Sequence, residues 1–165
     1  MIFNKIKHKD NIYSNLLSLS RNIFFYTKVK LSDSFETRIY LMFFHFSILL
    51  KIFKKKGTKF DQDVYDLFFH NIENNLRELG FGDVTVNKKM KELNKILYDI
   101  LLKFETSETN DININEKLII KYFPHLEDKY KPEFKLFKDY FIKFYKFCFE
   151  LSLNNVLRDV IKFKY

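Results

Sequence analysis

Asp66, His70, Glu73 and Arg77 follow one another at intervals of four, three and four residues. On a helix that spacing gathers two carboxylates, an imidazole and a guanidinium within about 60° of one face. Such a strip can dock a charged partner, or with His45 make a loose metal site. It can also be a solvated face carrying a Glu73–Arg77 pair. Metal is the weaker use, because hard carboxylates and one imidazole on a single helix seldom complete a coordination sphere.

No catalytic template accompanies the strip. Gly57, Gly80 and Gly82 form neither a phosphate-cradling loop nor a dinucleotide fingerprint. His8, His45, His70 and His125 lack metal-ligand spacing. The single cysteine, Cys148, excludes an internal disulfide framework and a cysteine-built zinc site. Between Phe147 and Phe149 it reads as an inert core thiol, and His45, among Phe43, Phe44 and Phe46, as a core histidine. No catalytic residue, metal or cofactor is expected, and enzyme is the poorer class.

Arginine is scarce, 4 against 25 lysines, so its placement carries information. Arg38 and Arg77 can each fork onto carboxylates as lysine cannot, either stapling helix ends through Glu36, Glu78 or Asp83 or capturing an acidic partner. Lys88, Lys89, Lys91 and Lys95 crowd the opening turns of an expected helix, where the dipole disfavours cations. That placement favours an anionic or acidic contact.

These residues need helices to position them. Ile12, Leu16, Leu19 and Ile23 predict a helix over residues 11–27. Asp33 and Glu36 form a capping-box pattern for a second, from about Ser34 to Phe53, closed by Lys54, Lys55, Lys56 and Gly57. Thr58 and Asp61 offer caps for a third, striped by Val64, Phe68, Ile72, Leu76 and Leu79. Gly80, Phe81, Gly82 and Asp83 make a turn. Thr85 then caps a fourth helix striped by Val86, Met90, Leu93, Leu97, Leu101 and Phe104, so that the third and fourth form a tight hairpin.

Residues 105–115 are polar and predict a loop. A short helix over Glu116–Phe123 stops at Pro124, and Pro132 begins the last long helix. Its polar residues, Lys135, Lys138, Asp139, Lys143, Lys146 and Glu150, fall within an arc of roughly 140°. The remaining arc is aromatic, and is either sandwiched in the core or partly offered to a partner or lipid. The expected fold is all-α, one domain over residues 1–165, a bundle of about six helices.

Composition bounds the function. Of 165 residues, 47% are hydrophobic, 21 are Phe and 10 are Tyr, with 3 Gly and 2 Pro, which excludes collagen-like and generally disordered classes. A net charge of +8 suggests nucleic acid, an anionic membrane face or an acidic protein, although a lysine-coated surface and A/T-rich codon usage explain it equally. Residues 1–10 lack the apolar stretch of a secretory signal. Residues 39–50 are too short an apolar run to span a bilayer, which needs about 20. Cytoplasm or an organelle matrix is the expected location.

From Arg21 to about Glu105 the chain resembles the ubiquinol-cytochrome c chaperone family. The matching blocks are Arg21 to Tyr26, then Asp33, Ser34, Phe35, Glu36, Thr37 and Arg38, where the family tends to read Asp, Thr, Phe, Glu, Gly, Arg. The apolar run with His45 follows. Most specific are Tyr65 and Asp66, then Leu76, Arg77, Glu78, Leu79, Gly80, Phe81, Gly82 and Asp83, continuing through Val86 to Met90 and Lys91. Asn71 stands where an acidic residue is common, and Asp99 and Ile100 where Gly and Arg often follow Tyr98.

The resemblance implies a non-enzymatic assembly chaperone of the cytochrome bc1 complex (complex III). It would engage newly made cytochrome b or other bc1 subunits, often beside a small co-chaperone, in a bacterial cytoplasm or mitochondrial matrix, with peripheral contact at the inner membrane or ribosome. No specific nucleic acid is implied. Arg38, Asp66, Glu73, Arg77, Glu78, Asp83, Lys88 and Lys91 are the expected partner-binding residues, with surplus aromatic surface holding the client. The alternative is a basic helical peripheral membrane or nucleic-acid-binding protein.

Overall fold

The computed structural model describes residues 12–165. His8 and the lysines before it lie outside the described residues. Helix α1 runs over residues 12–20, and α2 over Ile23–Thr27. The expected single helix over 11–27 therefore breaks at Arg21 and Asn22. Polar side chains supply the reason: Ser20 Oγ donates to the Leu16 carbonyl at 2.8 Å, Tyr26 donates to the Ser20 carbonyl at 2.7 Å, and Asn22 accepts the Phe24 N–H at 3.0 Å. Each offers the backbone a partner outside the helical ladder.

Helix α3, Phe35–Lys55, is the axis of the bundle, and every residue from Leu41 to Leu49 is buried. A helix apolar all round belongs in a core. Its cap is Ser34, which accepts the Thr37 N–H at 3.1 Å, and the expected Asp33–Glu36 box does not form because Asp33 instead accepts from Arg38 at 2.5 Å. Thr58 N–H reaches the Phe53 carbonyl at 3.0 Å and Gly57 N–H the Lys54 carbonyl at 3.1 Å, with Gly57 at φ 71°. These two bonds close α3 in a Schellman motif.

Asp61 caps α4, Gln62–Glu78, and Gly82 rather than Thr85 occupies the cap of α5, Asp83–Lys103. Between them the chain turns through a second Schellman motif: Phe81 N–H to the Leu76 carbonyl, Gly80 N–H to the Arg77 carbonyl, and Gly80 at φ 95°. Leu79 caps α4 and is 55% exposed, so it leaves the expected apolar stripe.

Residues 105–115 are not simply a loop. Strands β1, Phe104–Thr106, and β2, Ile112–Ile114, pair antiparallel with Phe104 opposite Ile114, Glu105 opposite Asn113 and Thr106 opposite Ile112. The alternation explains the departure, since Phe104, Ile112 and Ile114 turn inward while Glu105 and Asn113 stay exposed. Phe104 thus reaches the core from a strand, not from the helix.

Helix α6, Glu116–Tyr122, leads through a short 3-10 turn to α7, Pro132–Glu150, and then α8, Val156–Asp159. The aromatic face of α7 is inside: Phe134, Phe137, Tyr140, Phe141, Phe144 and Tyr145 are buried against α3, and the C-terminal segment closes over them. The molecule is all-α apart from the small hairpin. Among the described residues, no helix is long and apolar enough to cross a membrane.

Candidate functional site

Two central side chains have internal roles. His45 Nδ1 donates to the Leu41 carbonyl at 2.6 Å and Nε2 accepts from the Tyr140 hydroxyl at 2.9 Å. Both ring nitrogens are engaged, and desolvation lowers the imidazole pKa to about 3, against a smaller raising effect of the Leu41 bond. Cys148 is buried and its thiol is pushed up by the same desolvation, so its thiolate is not formed near neutrality.

Seven of the eight expected partner-binding residues lie on α4 or α5, which run side by side, and two of them, Asp66 and Glu73, line the hollow between the helices. There an open groove of about 620 Å³ is lined by Asp63, Asp66, His70 and Glu73 from α4, with Tyr65, Phe69 and Met90 supplying apolar surface and Asn94 completing the α5 side. The α4 strip is real, and its end is tied down. Arg77 donates to Glu73 at 3.0 Å and also to Asp83, joining the last turn of α4 to the first turn of α5. The hydrogen bonds it donates to Asp83 and then Glu73 hold this guanidinium further in its charged form.

Helix α5 presents a second strip to solvent. Val84, Lys88, Lys91, Lys95, Tyr98 and Leu102 are all exposed and alternate at intervals of four and three residues. Among the described residues, Lys88, Lys91 and Lys95 make no ion pair. Lys89 stands apart, its ammonium 4.8 Å from the centre of the Phe81 ring. Leu79, Phe81 and Val84 make an apolar tip at the α4–α5 turn.

Of the expected residues, Arg77, Asp83, Lys88 and Lys91 stand outside the groove's lining, and two more fall elsewhere. Arg38 is held by Asp33 at the start of α3 and does not line the groove. Glu78 is exposed in the last turn of α4, also outside the lining. Asp99, a departure from the family pattern, ties α5 to α6: it pairs with Lys103 at 2.7 Å and Lys121 at 2.8 Å and accepts from the Tyr122 hydroxyl. Desolvation would raise its pKa, but these three donors outweigh it and hold the carboxyl well below the usual range. Tyr65, Phe69, Met90 and Asn94 were not legible as site residues. Aromatic and apolar side chains at helical spacing look the same whether they line a groove or fill a core.

The aromatic surplus expected on the surface is largely absent. Among the described phenylalanines, Phe81 is the exposed one; the others are buried or half-buried. Packing of α7 between α3 and the C-terminal segment consumes the rings.

The model of the ubiquinol-cytochrome C chaperone family matches residues 27–118, more than half of the chain and all of α3, α4 and α5. The chain belongs to that family. Its members are named for chaperoning ubiquinol-cytochrome c reductase, and the groove and both charged strips of this chaperone lie within the matched stretch. The crystal structure of the Cbp3 homolog from Brucella abortus has the same fold, with a TM-score of 0.67 and 20% identity, covering 100% of this chain and 96% of that one. No curated protein sequence matches the chain.

Proposed function

We propose that this chain is a non-catalytic assembly chaperone of the respiratory cytochrome bc1 complex that binds newly made cytochrome b. Family membership over residues 27–118 is the observation that carries the reading. The α4–α5 groove supports it physically, because an unassembled membrane subunit exposes apolar helix surface, and a holder must match that surface within a charged rim. Tyr65, Phe69 and Met90 supply the apolar contact and Asp66 and Glu73 its rim; Arg77, Asp83, Lys88 and Lys91 extend the contact along α4 and α5, with Leu79, Phe81 and Val84 exposed at the turn. On this reading the binding event belongs to the cytoplasmic or matrix side of the membrane.

Replacing Arg77 and Asp83 together by Ala tests the docking role. Both side chains are exposed, so the helical spectrum and unfolding midpoint should stay close to the parent. Assembled bc1 complex, read by haem b spectroscopy and native gels in cells relying on this chaperone, should fall. Unchanged complex with a folded variant would remove the docking role.

A further inference from the structure

Residues 60–87 hold no lysine, although the chain has 25. Codon bias spreads lysine without regard to the fold, whereas this gap covers all of α4 and its turn into α5. Over the same residues Asp61, Asp63, Asp66, Glu73, Glu78 and Asp83 stand against a single formal cation, Arg77. A chain of net charge +8 therefore carries one long helix of negative charge. The groove lies on that helix. Asp63, Asp66 and Glu73 line it and no lysine or arginine does, whereas the hollow between α3 and the hairpin carries Lys51, Lys54 and Lys55, and that beside α6 carries Lys117 and Lys129.

The carboxylates border an aromatic floor. Taking about 100° per residue, Glu73 and Asp66 lie about 40° and 60° around α4 from Phe69, on the side away from Tyr65. Phe69 is buried and Tyr65 half-buried, Asp66 is exposed, and Met90 continues the apolar surface on α5. Asp66 accepts from the neutral Gln62 amide at 2.8 Å and makes no ion pair among the described residues. Glu73 is paired with Arg77, whose charge Asp83 shares. Lys88, Lys91 and Lys95 project about 100–160° around α5 from Met90 and stand clear of the groove.

Resting on the chaperone reading, we infer that the groove takes a basic, partly apolar segment of the client: the stretch where an apolar helix of a membrane subunit passes into a Lys- and Arg-rich loop. Membrane subunits carry their excess of Lys and Arg in the loops on the cytoplasmic side. An unassembled subunit thus offers an apolar helix end and cations side by side, and the groove offers the complement of each. On a chain that is positive overall, the acidic groove is a face at which such a loop is attracted rather than repelled. The same sign disfavours other occupants. Phosphates of nucleic acid or of anionic lipid would meet Asp66 and Glu73 and be repelled.

The test is fluorescence anisotropy with the full chain and three short labelled peptides. One has an apolar half followed by a Lys- and Arg-rich half; the second has Glu in place of each Lys and Arg; the third keeps the basic half and has Ser in place of the apolar residues. The first should bind about tenfold tighter than either of the others, which lack a few rim pairs or the apolar contact. Asp66→Asn with Glu73→Gln should remove most of the preference for the basic over the acidic peptide. Glu92→Gln with Glu105→Gln, an equal loss of charge at exposed sites outside the lining, should keep it. Equal binding of the basic and acidic peptides overturns the inference, and so does equal weakening by the two double variants. A dimer seen in sedimentation that only the groove variant abolishes would give the groove to a second copy of the chain and overturn it as well. The chaperone reading fails separately: it falls if cells lacking the protein assemble normal bc1 complex, whatever the peptides do.

Discussion

His45 is the residue whose chemistry is most altered by the fold, and its consequence is a pH-dependent stability. Its folded pKa, about 3, lies below the 6.5 of the unfolded chain, so the unfolded state takes up the proton first. The stabilisation is complete above pH 6.5 and is lost as pH falls toward 3. Between pH 6.5 and 5, before the carboxylates titrate, urea unfolding should show a loss of about 2 kcal/mol. A flat response over that window would mean that the imidazole is accessible or differently paired. Tyr140→Phe leaves Nε2 buried without its donor and should cost about 1–3 kcal/mol, whereas Tyr130→Phe, at an exposed ring, should cost nothing measurable.

At the scale of elements, helix ends decide where the proposed docking residues stand. Ser34→Ala removes the acceptor for the Thr37 N–H and should cost about 1 kcal/mol in denaturant unfolding; equal loss on Asp33→Ala would place the cap back on Asp33. Gly80 sits at φ 95° and Gly82 at φ −75°, so the same substitution has different effects. Gly80→Ser should destabilise by about 1 kcal/mol through the left-handed backbone alone, since nothing crowds the site, while Gly82→Ser adds a capping oxygen and should be neutral or slightly stabilising. The long helices α3, α4, α5 and α7 and the turn between α4 and α5 were legible because apolar periodicity, Pro132 and the glycines carry local physical rules. The break after Ser20 and the β-hairpin were not. Ser20, Tyr26 and Asn22 act through bonds to nearby carbonyls and amides that periodicity does not register. In residues 104–114, three inward apolar side chains are diluted by a polar turn. Lys56 shows the same limit: lysine at a helix end predicts a dipole contact, yet its ammonium caps the end of α7 through the Phe149 and Leu151 carbonyls at 2.6 and 3.0 Å.

For the whole molecule, the division of labour is between a closed aromatic interior and the groove between α4 and α5. Phe44 packs edge to face on Phe104, Phe123 and Phe137, so Phe44→Ala should cost about 3–5 kcal/mol and impair assembly by loss of folded protein. Substitutions in the groove should impair assembly with the fold intact. Some of the positive surface is paired internally, as at Lys103, Lys121, Lys138, Lys143 and Lys162. The central claim is tested most directly by pulse-labelling cells that make cytochrome b, purifying the tagged chaperone, and asking which labelled protein accompanies it. Cytochrome b should be recovered within the pulse, strongly reduced when Arg77 and Asp83 are both Ala, and chased into bc1 complex. Recovery of no bc1 subunit with a folded, abundant chaperone would contradict the claim.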